Sequence, residues 1–221
     1  MKLICLTLSL ALAMTPVRAD EFGRFVGRLI LSDEQLDECF ASDEDGFFSI
    51  FRLVEEFHFI DPNQIDWSVP SGTCVNGASI PAAFWSVMGG PWSGKYRRAS
   101  VIHDHYVRTR VRTWQDTHRA FYYGMRAGDV SATQAKLMYY AVRRFGKRWD
   151  LKTRSLPECG SDNTDCGVAR VAKPDWILVP EVPNGDISEL VVGMDFDAMS
   201  LEEIDRIADE QLSTDILDPS R

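Results

Sequence analysis

The fold is decided by residues 95–145, which read KYRRASVIHDHYVRTRVRTWQDTHRAFYYGMRAGDVSATQAKLMYYAVRRF. Apolar residues recur here at intervals of three and four, the spacing that places them on one face of an α-helix. Thr113-x-x-Asp116 and Ser131-x-x-Gln134 are sequences that can cap a helix start. The pattern predicts helices over residues 95–110, from Thr113 to about 126, and from Ser131 to about 144. Because the connections are short, we expect neighbouring helices to run antiparallel.

Two histidines lie within the apolar stripes of the first two helices. The inward faces carry Ala99, Ile102, His103 and Tyr106 on the first helix, and Trp114, His118, Phe121 and Met125 on the second. In an antiparallel hairpin His103 and His118 lie opposite each other, so we expect their rings to meet. A single buried imidazole is usually a core residue held by one hydrogen bond. A facing pair can also be a general base with its partner, or two metal ligands.

Asp104 is turned about 100° around the helix from His103. It has two interpretations: a surface ion pair with Arg108, or a carboxylate at a pocket rim that binds a cation or orients a substrate. His105 turns towards another side and is expected to be exposed. The candidate catalytic residues are therefore His103, Asp104 and His118, and the cofactor is left open, with a divalent metal such as calcium as one candidate.

The residues before the helices have the features of strands. Residues 24–32 alternate apolar and polar side chains, and residues 47–60 are rich in aromatic and β-branched side chains. Residues 67–70 continue the extended pattern and end in Pro70, which favours an edge strand.

The residues after the helices are acidic. Residues 176–179 are predicted to form a strand, and Ser200-x-x-Glu203 is a capping box that starts a short helix. The predicted fold class is α+β: a small antiparallel sheet followed by a three-helix unit in one domain, residues 20–154, with a C-terminal extension, residues 155–221.

The first nineteen residues have the three-part layout of a secretory signal. A positive start, Met1-Lys2, precedes an apolar run that ends near Met14, and Val17-Arg18-Ala19 places small residues at a cleavage point before Asp20. The run has about a dozen residues, fewer than the about 20 that span a bilayer. The sequence therefore predicts a periplasmic or secreted protein with no transmembrane segment after signal removal.

Four cysteines remain after the predicted cleavage. In an oxidising compartment an even number favours disulfides, and four cysteines allow three pairings. Cys159 and Cys166 flank a short polar loop, which favours a local bond and leaves Cys39 to pair with Cys74. No Cys-x-x-Cys knuckle of the kind found in zinc sites is present.

Charge is strongly segregated along the chain. Residues 95–154 contain 15 Lys/Arg and 4 Asp/Glu, whereas residues 155–221 contain 16 Asp/Glu and 4 Lys/Arg. The favoured interpretation is internal neutralisation, with acidic flanks folded against basic helices. A surface that attracts an anionic envelope ligand, such as a phospholipid headgroup or cell-wall polymer, is the second. Nucleic acid is not an expected partner, because the chain is acidic and predicted to be exported.

The motifs resemble one bacterial and phage family, domain-of-unknown-function family 1353. The resemblance covers about residues 22–150 and is carried by Val69-Pro-x-Gly72, Asn76-Gly-Ala-Ser-Ile-Pro81, His103-Asp104, Ala120-Phe121 and Tyr139-x-x-Val142-x-x-x-Gly146. It implies a small α+β domain and no established activity. This sequence has Asn76 and His118 where members often have Asp. Tyr106 stands one place earlier than the tyrosine of the family's usual His-Asp-x-x-Tyr motif.

A looser similarity is to secreted phospholipases A2, which place a His-Asp doublet on one helix and a carboxylate on the next. It implies His103 as the base, Asp104 as a calcium ligand and His118 in place of the partner acid, although the calcium loop is missing. Two functions follow from the sequence. One is a hydrolase of an anionic cell-envelope substrate that uses the His-Asp/His site. The other is a non-enzymatic envelope or protein-interaction module in which the histidines are core residues.

Overall fold

The structure, a computed structural model, describes residues 21–34, 39, 51–77, 84, 92, 94–151, 176–177 and 191–217. Strands come first in the chain and helices follow, so the fold class is α+β as predicted. The strands are β1 Arg24–Val26, β2 Leu31–Ser32, β3 Phe51–Leu53, β4 Phe57–Ile60, β5 Asp66–Val69, β6 Cys74–Val75, β7 Arg148–Trp149 and β8 Trp176–Ile177. The helices are α1 Arg97–Thr109, α2 Trp114–Ala127, α3 Ala132–Phe145 and α4 Leu201–Leu217.

The first six strands form two antiparallel sheets, in the orders β1-β4-β5 and β2-β3-β6. The single strand predicted over residues 24–32 is therefore wrong in one respect, because its two ends belong to different sheets. Gly27 lies between them with φ +88°, a backbone conformation that side-chain-bearing residues rarely adopt. β5 is an edge strand that ends just before Pro70, as the sequence predicts.

One disulfide joins the segment before β3 to the start of β6. Cys39 bonds Cys74, with the two Cα atoms 5.6 Å apart, so this predicted pairing is confirmed. Cys159 and Cys166 lie outside the described residues, as does the predicted signal segment.

The three predicted consecutive helices are confirmed to within about two residues at each end. The hydroxyl of Thr113 accepts a hydrogen bond from the N–H of Asp116 at 3.0 Å, and that of Ser131 accepts one from Gln134 at 3.3 Å. These bonds satisfy backbone donors that a helix start leaves free. In the link between α1 and α2, Arg110 adopts the left-handed conformation, φ +55°, that ends α1.

The core has two main parts on either side of the helical hairpin. Residues of α1 pack on the strands, so that Ile102 and Tyr106 lie against Trp67 and Val69. The other faces of α2 and α3 form a second cluster, which the buried residues Ile204 and Ala208 of α4 complete. Every residue of the predicted inward faces of α1 and α2 is buried.

The acidic helix α4 packs against the basic helices. Its start has the predicted capping box: Ser200 N–H donates to Glu203, and Glu203 N–H donates to Ser200. Asp205 forms an ion pair with Arg119 of α2 and receives a hydrogen bond from Tyr139 of α3. Part of the basic block is thus neutralised within the molecule, as the favoured interpretation of the charge pattern predicts.

No helix of the described segments combines the length and the apolar character that crossing a bilayer requires.

We expect Asp205→Asn to lower the free energy of unfolding by about 1–3 kcal/mol, because Arg119 would lose the closer of its two charged partners, Asp205 and Glu202, in a partly enclosed site. Glu210→Gln is the matched control, because Glu210 is exposed and forms an ion pair with Arg206 of its own helix. Its effect should stay within about 0.5 kcal/mol. Urea unfolding at pH 7 checks both values, and equal losses would contradict a docking role for Asp205.

Candidate functional site

The two histidines meet in the core between α1 and α2. His103 Nε2 lies 2.9 Å from His118 Nδ1, and the ring centres are 5.1 Å apart. Both residues are buried, with 1% and 0% of their surface exposed. The contact predicted from the antiparallel hairpin is therefore present, and one ring donates a hydrogen bond to the other.

Aromatic rings enclose the pair. The Phe121 ring centre lies 4.8 Å from that of His103, and the Trp114 ring centre lies 5.7 Å from that of His118. Trp149 of β7 lies on another side of His118, with the two ring centres 6.5 Å apart. The surroundings are thus mostly apolar, which penalises a charge on either imidazole.

Burial keeps both rings neutral near pH 7. It lowers the pKa of His103 from 6.5 to about 3. The pKa of His118 is also well below its usual value, first because of burial and then because His103, Arg148 and Arg143 lie near it. A neutral imidazole carries one N–H, so a single proton is shared in the bond between the two rings.

The outer nitrogen of each ring lacks a well-formed hydrogen bond. His103 Nδ1 and His118 Nε2 are both buried without a partner of ordinary hydrogen-bond geometry. The backbone of Lys147 raises the pKa of His118 slightly, but its geometry falls short of a full hydrogen bond. A buried polar atom left in this state costs about 1–3 kcal/mol, so the pair is expensive to keep in the core.

Asp104 does not have the first of its two predicted roles, the surface ion pair with Arg108; its role at the rim of a pocket stays a prediction. It is buried, and its Oδ2 accepts hydrogen bonds from the backbone N–H groups of Asn76 and Gly77, at 3.1 and 2.7 Å. It therefore does not pair with Arg108 on the helix surface. Gly77 has φ +88°, a backbone conformation that side-chain-bearing residues rarely adopt. Asp104 holds the start of the Asn76–Pro81 motif against α1, next to His103.

The prediction that His105 is exposed is wrong. His105 is half-buried, and its ring packs edge-on against Tyr106 at 5.1 Å. Burial, assisted by the nearby charge of Arg108, lowers its pKa to about 4. The helix is covered on more sides than a simple two-faced pattern suggests, because strands and loops also pack against α1.

The charges around the pair do not favour a cation. No group of three metal-ligating side chains occurs among the residues whose placement is described. Arg143 and Arg148 already lower the pKa of His118 through their positive charge, and the same field opposes a divalent metal. The closeness of His103 and His118 therefore does not by itself indicate a metal centre.

Sequence reasoning missed the arginines next to His118. Arg143 and Arg148 place their guanidinium carbons 4.4 and 4.3 Å from the ring centre of Trp114. The sequence shows a basic cluster near residue 145 but contains no periodic signal that relates it to His118. Contact arises only because β7 turns back beside the start of α2, where Trp149 donates to the carbonyl of Arg112 at 2.7 Å.

We expect stability to fall as the pH drops from about 6.5 towards 4. Folding lowers the pKa of His103 and His118, so the unfolded chain binds more protons in this range; the stabilisation is complete above pH 6.5 and is lost below it. Each of the two histidines should lower the free energy of unfolding by about 1.4 kcal/mol for each unit that the pH falls below 6.5. Urea unfolding between pH 7 and 5 measures this slope, which should be much smaller for His103→Gln/His118→Gln. Equal slopes for the two proteins would show that the pair is not neutral in the fold.

Comparison with known proteins places the site within a family. The family model described as "Protein of unknown function (DUF1353)" matches residues 51–142, a range that includes His103 and His118. The uncharacterized protein y4jT of Sinorhizobium fredii (strain NBRC 101917 / NGR234) is 51% identical over 118 residues, which are 53% of this chain and 35% of that protein. The chain thus matches about a third of the length of y4jT.

A second relative from the same strain, the uncharacterized protein y4iH, is 35% identical over 167 residues, which are 72% of this chain and 70% of that protein. No solved structure matches the chain significantly. Neither the family match nor these relatives support the looser resemblance to secreted phospholipases A2. The agreement over most of both chains, together with the family match, shows that this protein belongs to the DUF1353 family.

Proposed function

We propose that the protein is an exported hydrolase of the cell envelope in which His103 and His118 act together as an acid–base pair on an anionic substrate. The observation that carries this proposal is the hydrogen-bonded pair, in which His103 Nδ1 is buried without a hydrogen-bond partner and His118 Nε2 has none of ordinary geometry. Apolar residues of similar volume would fill the same space without unsatisfied polar atoms. A fold that keeps such groups at a cost commonly does so for chemistry.

In the proposed reaction, a water oxygen bonds to the electrophilic centre of the substrate while one water proton passes to the histidine pair. The bond to the leaving group then breaks, and the pair returns the proton to that group. The short contact between His103 Nε2 and His118 Nδ1 allows both rings to share the added charge. Asp104 supports the site by holding the backbone of Asn76 and Gly77 next to His103.

Export is part of the same proposal. Its support is the secretory pattern of residues 1–19 and the Cys39–Cys74 disulfide, a bond that persists in oxidising compartments. An anionic substrate is supported by the basic helices, of which the structure leaves exposed Lys95, Arg97 and Arg98 at the start of α1.

A second candidate function is a non-enzymatic interaction module of the envelope. The observation that favours it is the complete burial of both rings, together with the low pKa of His103, about 3. A general base works best when its pKa lies near the working pH. In this interpretation the pair is a core element, and α4 neutralises basic residues only to stabilise the fold.

The two candidates differ in what His103→Gln does to activity. We expect the purified mature protein to hydrolyse a phospholipid or cell-wall preparation, and His103→Gln to lower the rate by about 10²- to 10⁴-fold, the usual contribution of general acid–base catalysis. Replacement of His58, which lies on the strand β4 and pairs with Asp66, is the matched control and should leave the rate unchanged. An inactive wild-type protein, with and without divalent metal, would favour the interaction module.

A further inference from the structure

Two buried arginines lie beside the histidine pair and are not explained by it. Arg143 of α3 and Arg148 of β7 both stack on Trp114, and their side chains are only 9% and 6% exposed. We infer that these arginines form a binding site for an oxyanion such as a phosphate group, which Asp209 of α4 occupies in the structure. The inference rests on the proposed function, because it assigns the substrate class of the same site.

Asp209 has the properties of an exchangeable partner. Its Oδ2 lies 2.6 Å from Arg143 Nη2, and its Oδ1 lies 3.7 Å from Arg148 Nη2, so one carboxylate serves two cations. The Asp209 side chain is 46% exposed, although both arginines are buried. Asp205 is less exposed, at 22%, and holds Arg119 and Tyr139. For an anion to bind, the Asp209 carboxylate would have to turn away from both arginines.

The carboxylate leaves part of the arginine surface unused. Arg143 Nε and Arg148 Nε are buried without hydrogen-bond partners, and the nearest ion-pair contact of Arg143 Nε is Asp205 Oδ1 at 3.4 Å. Burial lowers the pKa of Arg148 to about 10, against the opposing effect of Asp209. A phosphate group carries more charge and more acceptor oxygens than one carboxylate, and matches the planar donor fork of arginine.

Stacking on Trp114 holds the guanidinium groups of both arginines in place. The Arg148 side chain also donates to the backbone carbonyl of Arg143, which orients the two guanidinium groups relative to each other. A pre-oriented pair loses less conformational entropy when an anion binds. The site is therefore built from rigid elements and differs from a cluster of mobile surface lysines.

Occupation of this site would change the histidines. Arg143 and Arg148 oppose a positive charge on His118, so an anion bound to them would weaken that opposition and make His118 a better proton acceptor. The substrate would then raise the basicity of the pair when it binds. This accounts for a base whose pKa is far below neutral in the free protein.

The test compares Asp209→Asn with Glu210→Gln, which removes the same charge one residue further along α4, where Glu210 forms an ion pair with Arg206. The probe is inorganic phosphate at constant ionic strength, and the readout is its dissociation constant from calorimetry. We expect Asp209→Asn to bind phosphate about fivefold more tightly than wild type, the effect of removing an ion pair of about 1 kcal/mol. Glu210→Gln should bind like wild type.

A second measurement does not depend on how well the Asp209 variant folds. Phosphate added to the wild-type protein should shift the ring ¹⁵N resonances of His118 and the Nε–H resonances of Arg143 and Arg148, whereas an equal concentration of chloride should not. Vesicles of phosphatidylglycerol, compared with vesicles of phosphatidylcholine, then distinguish a lipid phosphate from the free ion. Tighter binding to phosphatidylglycerol that Asp209→Asn enhances would identify the lipid as the source.

Equal phosphate affinity in all three proteins, with unshifted His118 resonances, would overturn the inference. The result is separable from the proposed function. Phosphate binding without any hydrolysis would retain the anion site and reject the hydrolase, whereas His103-dependent hydrolysis without the Asp209 effect would retain the hydrolase and reject this anion site.

Discussion

The hydrogen bond between His103 and His118 sets the main constraint on this structure, because it requires the space between α1 and α2 to stay free of net charge. The bond is 2.9 Å long and fully enclosed. This hydrogen bond is favourable only while both rings are neutral. Protonation would place a cation among aromatic rings and close to Arg143 and Arg148, where neither solvent nor a described carboxylate partner of the ring would offset it.

The acidic helix α4 neutralises arginines of α2, α3 and β7. The arginines of α2, α3 and β7 that pair with α4 would repel each other without Asp205 and Asp209. The apolar residues Ile204 and Ala208 fix α4 in the core, and the aspartates then face the basic helices. The basic and acidic segments, which are separate in the sequence, therefore neutralise each other in the folded protein. The exposed cations at the start of α1 are left over from this balance.

Much of the fold can be predicted from the sequence because local rules act there without competition. The capping residues Thr113, Ser131 and Ser200 mark three helix starts, and helical spacing places His103 and His118 on facing sides. Predictions failed where distant parts of the chain decide the outcome. Residues 24–32 divide between two sheets at Gly27, a choice that depends on strand partners far along the chain.

The candidate site shows the same division. The meeting of the histidines follows from one hairpin, whose geometry is local. The surface interpretation of Asp104 was wrong because helical position alone does not reveal that the backbone of Asn76 and Gly77 returns to it from 28 and 27 residues away. The arginines stacked on Trp114 were missed for a similar reason, since β7 reaches the start of α2 only through the tertiary fold.

The central claim is that the fold keeps the histidine pair at a cost, and the most direct test is the stability of His103→Leu/His118→Leu. Leucine has a comparable volume and no polar atoms, so the double replacement removes the unsatisfied nitrogens without a large cavity. We predict that its free energy of unfolding in urea at pH 7 equals or exceeds that of the wild-type protein. A loss of about 3 kcal/mol or more would show that the pair stabilises the core, and would contradict the account of these residues as a functional site.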